Sequence, residues 1–159
     1  MVRPADSVGR VAGQSFEIVT HSQASPEAVF AVVADAARWS EWAGPLVPRS
    51  ALERPGAPEP NGVGAIRKLG SPPFWSREEI VEHDPPGRLA YVLRSGLPVR
   101  HYRSVVDLSP TDGGGTTICW RSSFEPALAG TGRVMRAILR RTVAGFARRL
   151  AAHAARPAA

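Results

Sequence analysis

The chain has 159 residues, enough for one domain with its own apolar core, and the hydrophobic fraction of 43% is typical of a globular protein and not of a disordered one. Its single cysteine, Cys119, excludes an intramolecular disulfide, and no run approaches the roughly 18 apolar residues of a membrane-spanning helix. The net charge of +6 comes almost wholly from arginine, which supplies nineteen of the twenty basic residues.

Residues 1–14 lack the apolar stretch of a secretory signal and are predicted to be a flexible lead-in. We expect a single domain over residues 15–155. With no signal and no disulfide, the expected location is the cytoplasm.

The predicted elements begin with a strand and two short helices. Apolar and polar side chains alternate over residues 16–22, which indicates a strand. Ser25 can cap a first helix that begins with a proline and a glutamate. Asp35 can cap a second, which carries Trp39 and Trp42.

Six further strands are predicted, separated by turns rich in proline and glycine. They cover residues 46–52, 63–69, 74–83, 89–94, 99–108 and 116–124. Residues 55–62 contain three prolines and are interpreted as a loop over the sheet and a candidate lid. Consecutive strands with short connections predict an antiparallel meander, and helices kept to one side of it make an α+β domain.

A long amphipathic helix is predicted over residues 133–153, with Thr131 as its N-cap. At about 100° per residue, seven side chains fall within one sector and should face the sheet. They are Met135, Ile138, Leu139, Thr142, Val143, Phe146 and Leu150. The other side is basic, because seven arginines and no acidic residue follow Glu125. A solvated surface is the simpler interpretation, and contact with an anionic membrane is the alternative.

Short motifs occur in order over residues 16–154 and carry a family resemblance. They are Ser25-Pro26-Glu27-Ala28-Val29-Phe30, Trp39-Ser40-Glu41-Trp42, Gly62-Val63-Gly64, the stretch from Glu78 to Tyr91, Leu97-Pro98-Val99-Arg100, Gly114-Gly115-Thr116-Thr117 and Trp120. Together they resemble the helix-grip proteins of the SRPBCC, or START-like, superfamily, and within it the polyketide cyclase/dehydrase group. The resemblance implies a curved antiparallel sheet of about seven strands wrapped around a long C-terminal helix, with two short helices after the first strand.

The resemblance also implies a deep cavity between sheet and helix for an apolar or amphipathic ligand, for which we expect a volume of about 300–1,000 Å³. The candidate ligand-binding residues are Trp75, Tyr91, Tyr102, Trp120, Met135, Ile138, Thr142 and Phe146. For the tryptophans, simple core packing is the alternative.

Candidate catalytic residues come from the strand over residues 99–108. Tyr102 could act as a general acid, with His101 and Arg103 as the next candidates. Both faces of this strand are mixed, so alternation does not decide which one lines the cavity. In residues 74–83, the charged side chains are interpreted as the exposed positions of an amphipathic strand; if the apolar face lines the cavity, Arg77 and Glu79, which share that face, are candidates for an inward charge.

Three functions follow as hypotheses. The first is non-enzymatic binding of a small hydrophobic molecule, and the second is a polyketide cyclase, dehydrase or aromatase that uses acid/base groups in the same cavity. The third is association with anionic membranes through the arginines. The dispersed histidines and lone cysteine predict no metal, and the absence of phosphate-binding motifs predicts no cofactor. No nucleic-acid partner is expected. Ligand identity, oligomeric state and enzymatic activity stay open.

Overall fold

The computed structural model describes residues 12–157, so residues 1–11 of the predicted lead-in lie outside it. The strands are β1 (Gln14–Ser22), β2 (Arg49–Arg54), β3 (Ile66–Ser71), β4 (Phe74–Asp84), β5 (Arg88–Ser95), β6 (Val99–Pro110) and β7 (Thr116–Pro126). The helices are α1 (Pro26–Ala34), a short 3-10 helix (Ala36–Glu41) and α2 (Gly132–Ala154). The predicted order of elements is confirmed.

Two strands begin later than predicted. β2 begins at Arg49 and β3 at Ile66, each three residues later than alternation suggested. Leu46 and Val47 are apolar but lie in a loop, where Val47 is buried by packing and not by strand pairing. Hydrophobicity alone therefore placed the start of β2 too early.

The seven strands form one antiparallel sheet in the order β1-β7-β6-β5-β4-β3-β2. Strands β2 to β7 are a meander, whereas β1 pairs with β7 from the other end of the chain, in a register that joins Gln14 to Phe124 and Ser22 to Thr116. Alternate residues of β7, including Ile118 and Trp120, point to the concave side and are fully buried. The predicted α+β helix-grip architecture is confirmed.

β-Bulges interrupt the sheet where it curves around α2. In β4, the register with β5 shifts between Arg77 and Glu78 and again between Ile80 and Glu82. The second shift turns Glu82 outward and His83 inward, where the His83 ring packs 5.2 Å from that of Phe30. Bulges thus change which side chains of one strand reach the interior.

Helix capping follows the sequence at two of three positions. Ser25 Oγ accepts a hydrogen bond from Ala28 N at 3.3 Å, and Asp35 Oδ1 accepts one from Ala37 N at 3.2 Å. Thr131 occupies the predicted N-cap position of α2, but its side chain caps no amide, because its hydroxyl donates to the Leu128 carbonyl at 2.7 Å. That hydrogen bond stabilises the turn before α2, and the Thr131 side chain accepts no hydrogen bond from the first backbone amides of the helix.

The two halves of α2 pack differently against the sheet. In the C-terminal half, Ala147 and Leu150 are fully buried, and Ser22 Oγ donates to the Ala151 carbonyl at 2.7 Å. In the N-terminal half, Ile138 remains 53% exposed. Within residues 12–157, neither helix is long and apolar enough to cross a membrane. The N-terminal half contacts the sheet at β1, where Arg136 Nε donates to the Ser15 carbonyl, and leaves space between itself and β3 to β6.

Candidate functional site

A cavity of about 280 Å³ lies between the N-terminal half of α2 and strands β3 to β6. This volume is just below the range expected from the fold. The helix contributes Met135, Ile138, Leu139, Thr142, Val143 and Phe146 to its wall. The sheet and its turns contribute Leu69, Gly70, Phe74, Trp75, Ser76, Glu78, Tyr91, Gly96, Leu97 and Tyr102, and the loop before β2 contributes Leu46 and Val47. The wall is mainly apolar, as ligand sites usually are.

The mouth of the cavity is apolar and faces solvent. Phe74 is 82% exposed, Leu46 65%, Ile138 53% and Leu97 39%, and each belongs to a different segment. The proposed lid, residues 55–62, does not reach this opening. Its Asn61 side chain accepts a hydrogen bond from the Ala36 amide instead, which holds that loop at the 3-10 helix.

Strand β6 presents Tyr102 to the cavity and turns the other catalytic candidates away. Tyr102 and Ser104 are buried on the inner face. His101 is exposed, with a φ of 52°, at the bulge where the β6–β7 register shifts. Arg103 Nη2 contacts Glu82 Oε1 at 2.6 Å on the outer face. The structure thereby decides the question that alternation left open.

Buried hydroxyl groups form a cluster behind Tyr102. Ser104 Oγ donates to the Tyr102 hydroxyl at 3.0 Å, the Tyr102 hydroxyl to Ser122 Oγ at 3.4 Å, and the two serine oxygens lie 2.6 Å apart. Trp120 Nε1 donates to the Tyr91 hydroxyl at 3.3 Å. Burial raises the pKa of Tyr102 and raises that of Tyr91 well above its usual value, so both remain protonated at neutral pH.

Glu78 lies at the inner end of the cavity and forms an ion pair with Arg67, which lies behind the wall. Arg67 is 1% exposed and its Nε donates to Glu78 Oε2 at 2.7 Å. The pair joins residues directly opposite each other in the β3–β4 ladder. Its burial is offset by the rings of Trp39 and Tyr91, whose centres lie 4.1 and 4.4 Å from the guanidinium carbon.

Sequence reasoning missed this pair. The inward charge on β4 is Glu78, whereas Arg77 and Glu79 lie on the outer face, where Arg77 Nε contacts Glu53 Oε2 at 2.8 Å. The available signal was Arg67 itself, which alternates with inward Ala65 and Leu69. A buried arginine at such a position requires an acidic partner on the next strand.

Seven of the eight predicted ligand-binding residues line the cavity: Trp75, Tyr91, Tyr102, Met135, Ile138, Thr142 and Phe146. Trp120 does not, because it lies behind Tyr91 in the core. Trp75 lies only at the rim, since its ring packs on the outer face, 4.3 Å from Lys68 Nζ.

The cavity offers few groups for chemistry. Among the residues that the structure describes, Glu78 is the only carboxylic acid in the wall, which contains no lysine, arginine or histidine. Residues 12–157 contain no group of three or more histidine, cysteine or acidic side chains placed to hold a metal ion. Cys119 lies outside the cavity, and burial, followed by the nearby Glu17, raises the pKa of its thiol.

Comparison with known proteins identifies the family. Residues 13–155 match the family described as "polyketide cyclase / dehydrase and lipid transport". The chain belongs to this family. No curated protein matches the sequence.

Solved structures share the fold of this chain. A START superfamily protein from Mycobacterium smegmatis aligns with a TM-score of 0.75 and 12% identity, over 88% of this chain and 96% of that one. The Zhui aromatase/cyclase from a Streptomyces species aligns with a TM-score of 0.72 and 16% identity, over 90% of this chain and 94% of that one. XoxI from Bacillus cereus aligns with a TM-score of 0.71 and 18% identity, over 87% of this chain and 94% of that one. At these identities the likeness establishes the family's fold and not a shared ligand.

Proposed function

We propose that the protein binds a small hydrophobic or amphipathic molecule in the cavity between its sheet and α2. The observation that carries this proposal is the 280 Å³ of space with a mainly apolar wall and an apolar mouth. Protein interiors are normally packed to the density of organic crystals, so a space of this size lowers stability unless something fills it. A ligand that covers the wall gains roughly 25 cal/mol for each Å² of apolar surface removed from water.

Binding without catalysis is favoured by the state of the polar groups. Glu78 is held by Arg67, and the raised pKa values of Tyr91 and Tyr102 keep both phenols protonated at neutral pH. Neither tyrosine can then act as a general base, so catalysis would be limited to a protonated Tyr102 acting as a general acid. Among the described residues, no aspartate, histidine, lysine, arginine or second glutamate lines the cavity to form an acid/base pair with Glu78.

A polyketide cyclase or dehydrase is the second candidate. The family description includes that activity, and the Tyr102 hydroxyl lies in the same cavity as the Glu78 carboxylate. In this function the cavity would fold a reactive chain while the two groups move protons. The discriminating measurement is the mass of a poly-β-ketone mimic after incubation. Loss of water that Tyr102→Phe suppresses supports catalysis, and recovery of the unchanged compound supports binding alone.

Ligand binding is tested with Nile red, a neutral apolar dye whose fluorescence rises in apolar surroundings. We expect saturable binding to the wild type and a loss of at least tenfold in affinity for Thr142→Phe, because Thr142 lines the cavity from the helix side. Ala152→Phe, at an exposed position of the same helix outside the cavity, is the matched control and should bind like the wild type.

Equal dye binding by Thr142→Phe and the wild type would place the dye elsewhere and contradict the proposal. Thermal melting checks that both variants remain folded. Native mass spectrometry of protein purified from its own host should then show a bound small molecule that is absent from Thr142→Phe.

A further inference from the structure

The carboxylate of Glu78 is the charged group that a ligand in the cavity would meet. Arg67 lies behind it, enclosed by Trp39 and Tyr91, and its Nη1 donates to the Val33 carbonyl at 3.4 Å. Arg67 itself does not line the cavity, whereas Glu78 does. The arginine therefore stabilises the buried carboxylate from the far side and leaves an acceptor facing the open space.

Only one oxygen of that carboxylate is used within the described protein. Oε2 binds Arg67, and Oε1 has no hydrogen-bond partner in residues 12–157. In the same residues, the polar side-chain atoms that are both fully buried and without a hydrogen-bond partner are Trp42 Nε1 and Arg67 Nη2. Glu78 Oε1 also lacks a partner but is not fully buried, so it is accessible from the cavity that Glu78 lines. An ionised carboxylate accepts hydrogen bonds and donates none.

The hydroxyl groups of the cavity wall, in contrast, already have partners. Ser76 and Thr142 donate to backbone carbonyls at 3.4 and 3.0 Å. The Tyr102 hydroxyl donates to Ser122 Oγ on β7, and the Tyr91 hydroxyl accepts from Trp120 Nε1, also on β7. Glu78 Oε1 is therefore a side-chain acceptor of the cavity wall that has no hydrogen-bond partner among residues 12–157, in mainly apolar surroundings.

We infer that Glu78 Oε1 accepts a hydrogen bond from the ligand, and that the cavity selects neutral apolar molecules that carry a hydroxyl group. This inference rests on the proposed ligand binding. A neutral hydroxyl satisfies the carboxylate at little desolvation cost, whereas a ligand without a donor leaves a charged group unpaired as it displaces water.

The same geometry disfavours anionic ligands. A carboxylate or phosphate head group at the inner end would lie beside Glu78, while the compensating charge of Arg67 lies behind. The negative charges of the head group and of the Glu78 carboxylate would repel each other more strongly in a poorly hydrated cavity than in water. Fatty acids are thus expected to be poorer ligands than fatty alcohols or phenols of the same size.

The test is a competition series at neutral pH with one ring skeleton. Naphthol, methoxynaphthalene and naphthoate are titrated against Nile red bound to the wild type. We expect naphthol to bind about tenfold more tightly than methoxynaphthalene, as for one hydrogen bond to a charged acceptor, and naphthoate to bind more weakly than either. Equal affinity of naphthol and its ether, or tightest binding of naphthoate, overturns the inference. Failure of Nile red to bind at all would instead overturn the proposed function.

A paired substitution assigns the preference to Glu78. Arg67→Met/Glu78→Met replaces the ion pair with apolar side chains, a change that folded proteins often tolerate. It should keep Nile red binding and lose the preference for naphthol. Arg77→Met/Glu53→Met removes an exposed pair on the outer face and should keep the preference. A preference that persists in the first variant contradicts the assignment, and if that variant does not fold, the wild-type series still decides the ligand class.

Discussion

The two tyrosines of the chain, Tyr91 and Tyr102, are both buried, at 2% and 5% exposure, beside the inner end of the cavity. Burial raises the pKa of each; for Tyr91 the neighbouring Tyr102 and Glu78 raise it further, and Glu78 also raises that of Tyr102. Their hydroxyls hold the surrounding strands together through Ser104, Ser122 and Trp120. Their protonation state is therefore coupled to the folded structure.

We predict that stability falls as pH rises above about 10, the value at which tyrosine ionises in an unfolded chain. Above that pH the unfolded chain loses two protons that the folded chain retains, so unfolding becomes more favourable until the raised folded-state pKa values are reached. Tyrosinate absorbance should be absent from the native protein at pH near 10 and present after denaturation. Native titration at the ordinary tyrosine value would contradict the burial of both rings.

Single residues also show where local pattern misleads. Arg67 and Glu78 each look like ordinary exposed charges in sequence, and only their pairing across β3 and β4 makes them an interior unit. The requirement that a buried charge have a partner is general, but the partner is found by strand register, which is not a property of either residue.

At the scale of one element, α2 has two parts with different surroundings. Its N-terminal half lines the cavity, and its C-terminal half is packed in the core. Phe146 lies near the boundary, with its ring centre 5.6 Å from that of Trp39 and 6.5 Å from that of Trp120. It is only partly buried and lines the cavity. Leu150, one turn later, is fully buried.

Phe146→Ala should therefore cost about 2 kcal/mol, below the roughly 3–5 kcal/mol usual for a fully packed phenylalanine, because some contacts are already missing. Leu150→Ala should cost more, about 3–4 kcal/mol, because it opens a void in packed surroundings. Urea unfolding with unchanged m-values measures both. A larger loss for Phe146→Ala than for Leu150→Ala would mean that the space beneath α2 is filled.

The outer face of α2 tests the membrane hypothesis. Arg136, Arg140 and Arg148 are exposed, and Arg136 Nε donates to the Ser15 carbonyl at 2.7 Å. Changing all three to glutamine should leave dye binding unchanged and alter stability by about 0.5 kcal/mol per site, somewhat more at Arg136.

Sedimentation with anionic vesicles gives the contrasting outcome. If these arginines are only a solvated surface, neither wild type nor variant binds the vesicles appreciably. Salt-sensitive binding of the wild type that the triple variant loses would support membrane association through this face.

At the scale of the whole molecule, function depends on how the sheet and α2 are spaced. The meander and its closing pair between β1 and β7 bring the two ends of the chain together, and α2 is anchored at its C-terminal half by Ser22 and the core around Leu150. The N-terminal half contacts β1 but leaves a space toward β3 to β6, and Glu78 lines that space.

The sequence by itself determined the number, order and type of the elements, the apolar stripe of α2 and most of the side chains that line the cavity. These features depend on hydrophobic periodicity near 2 or 3.6 residues and on the residues that form turns and helix caps. Both are local signals that can be identified from residues close together in the sequence. The family resemblance determined that a cavity should exist.

Only the tertiary structure decided which face of β6 is inside, that Trp120 lies behind the wall, that residues 55–62 do not form the lid, and that Arg67 and Glu78 meet. Each depends on pairing between distant residues or on bulges that reverse alternation within a strand. Because a shift of one residue exchanges the two faces of a strand, small irregularities with no clear sequence signature decide which polar groups the cavity contains.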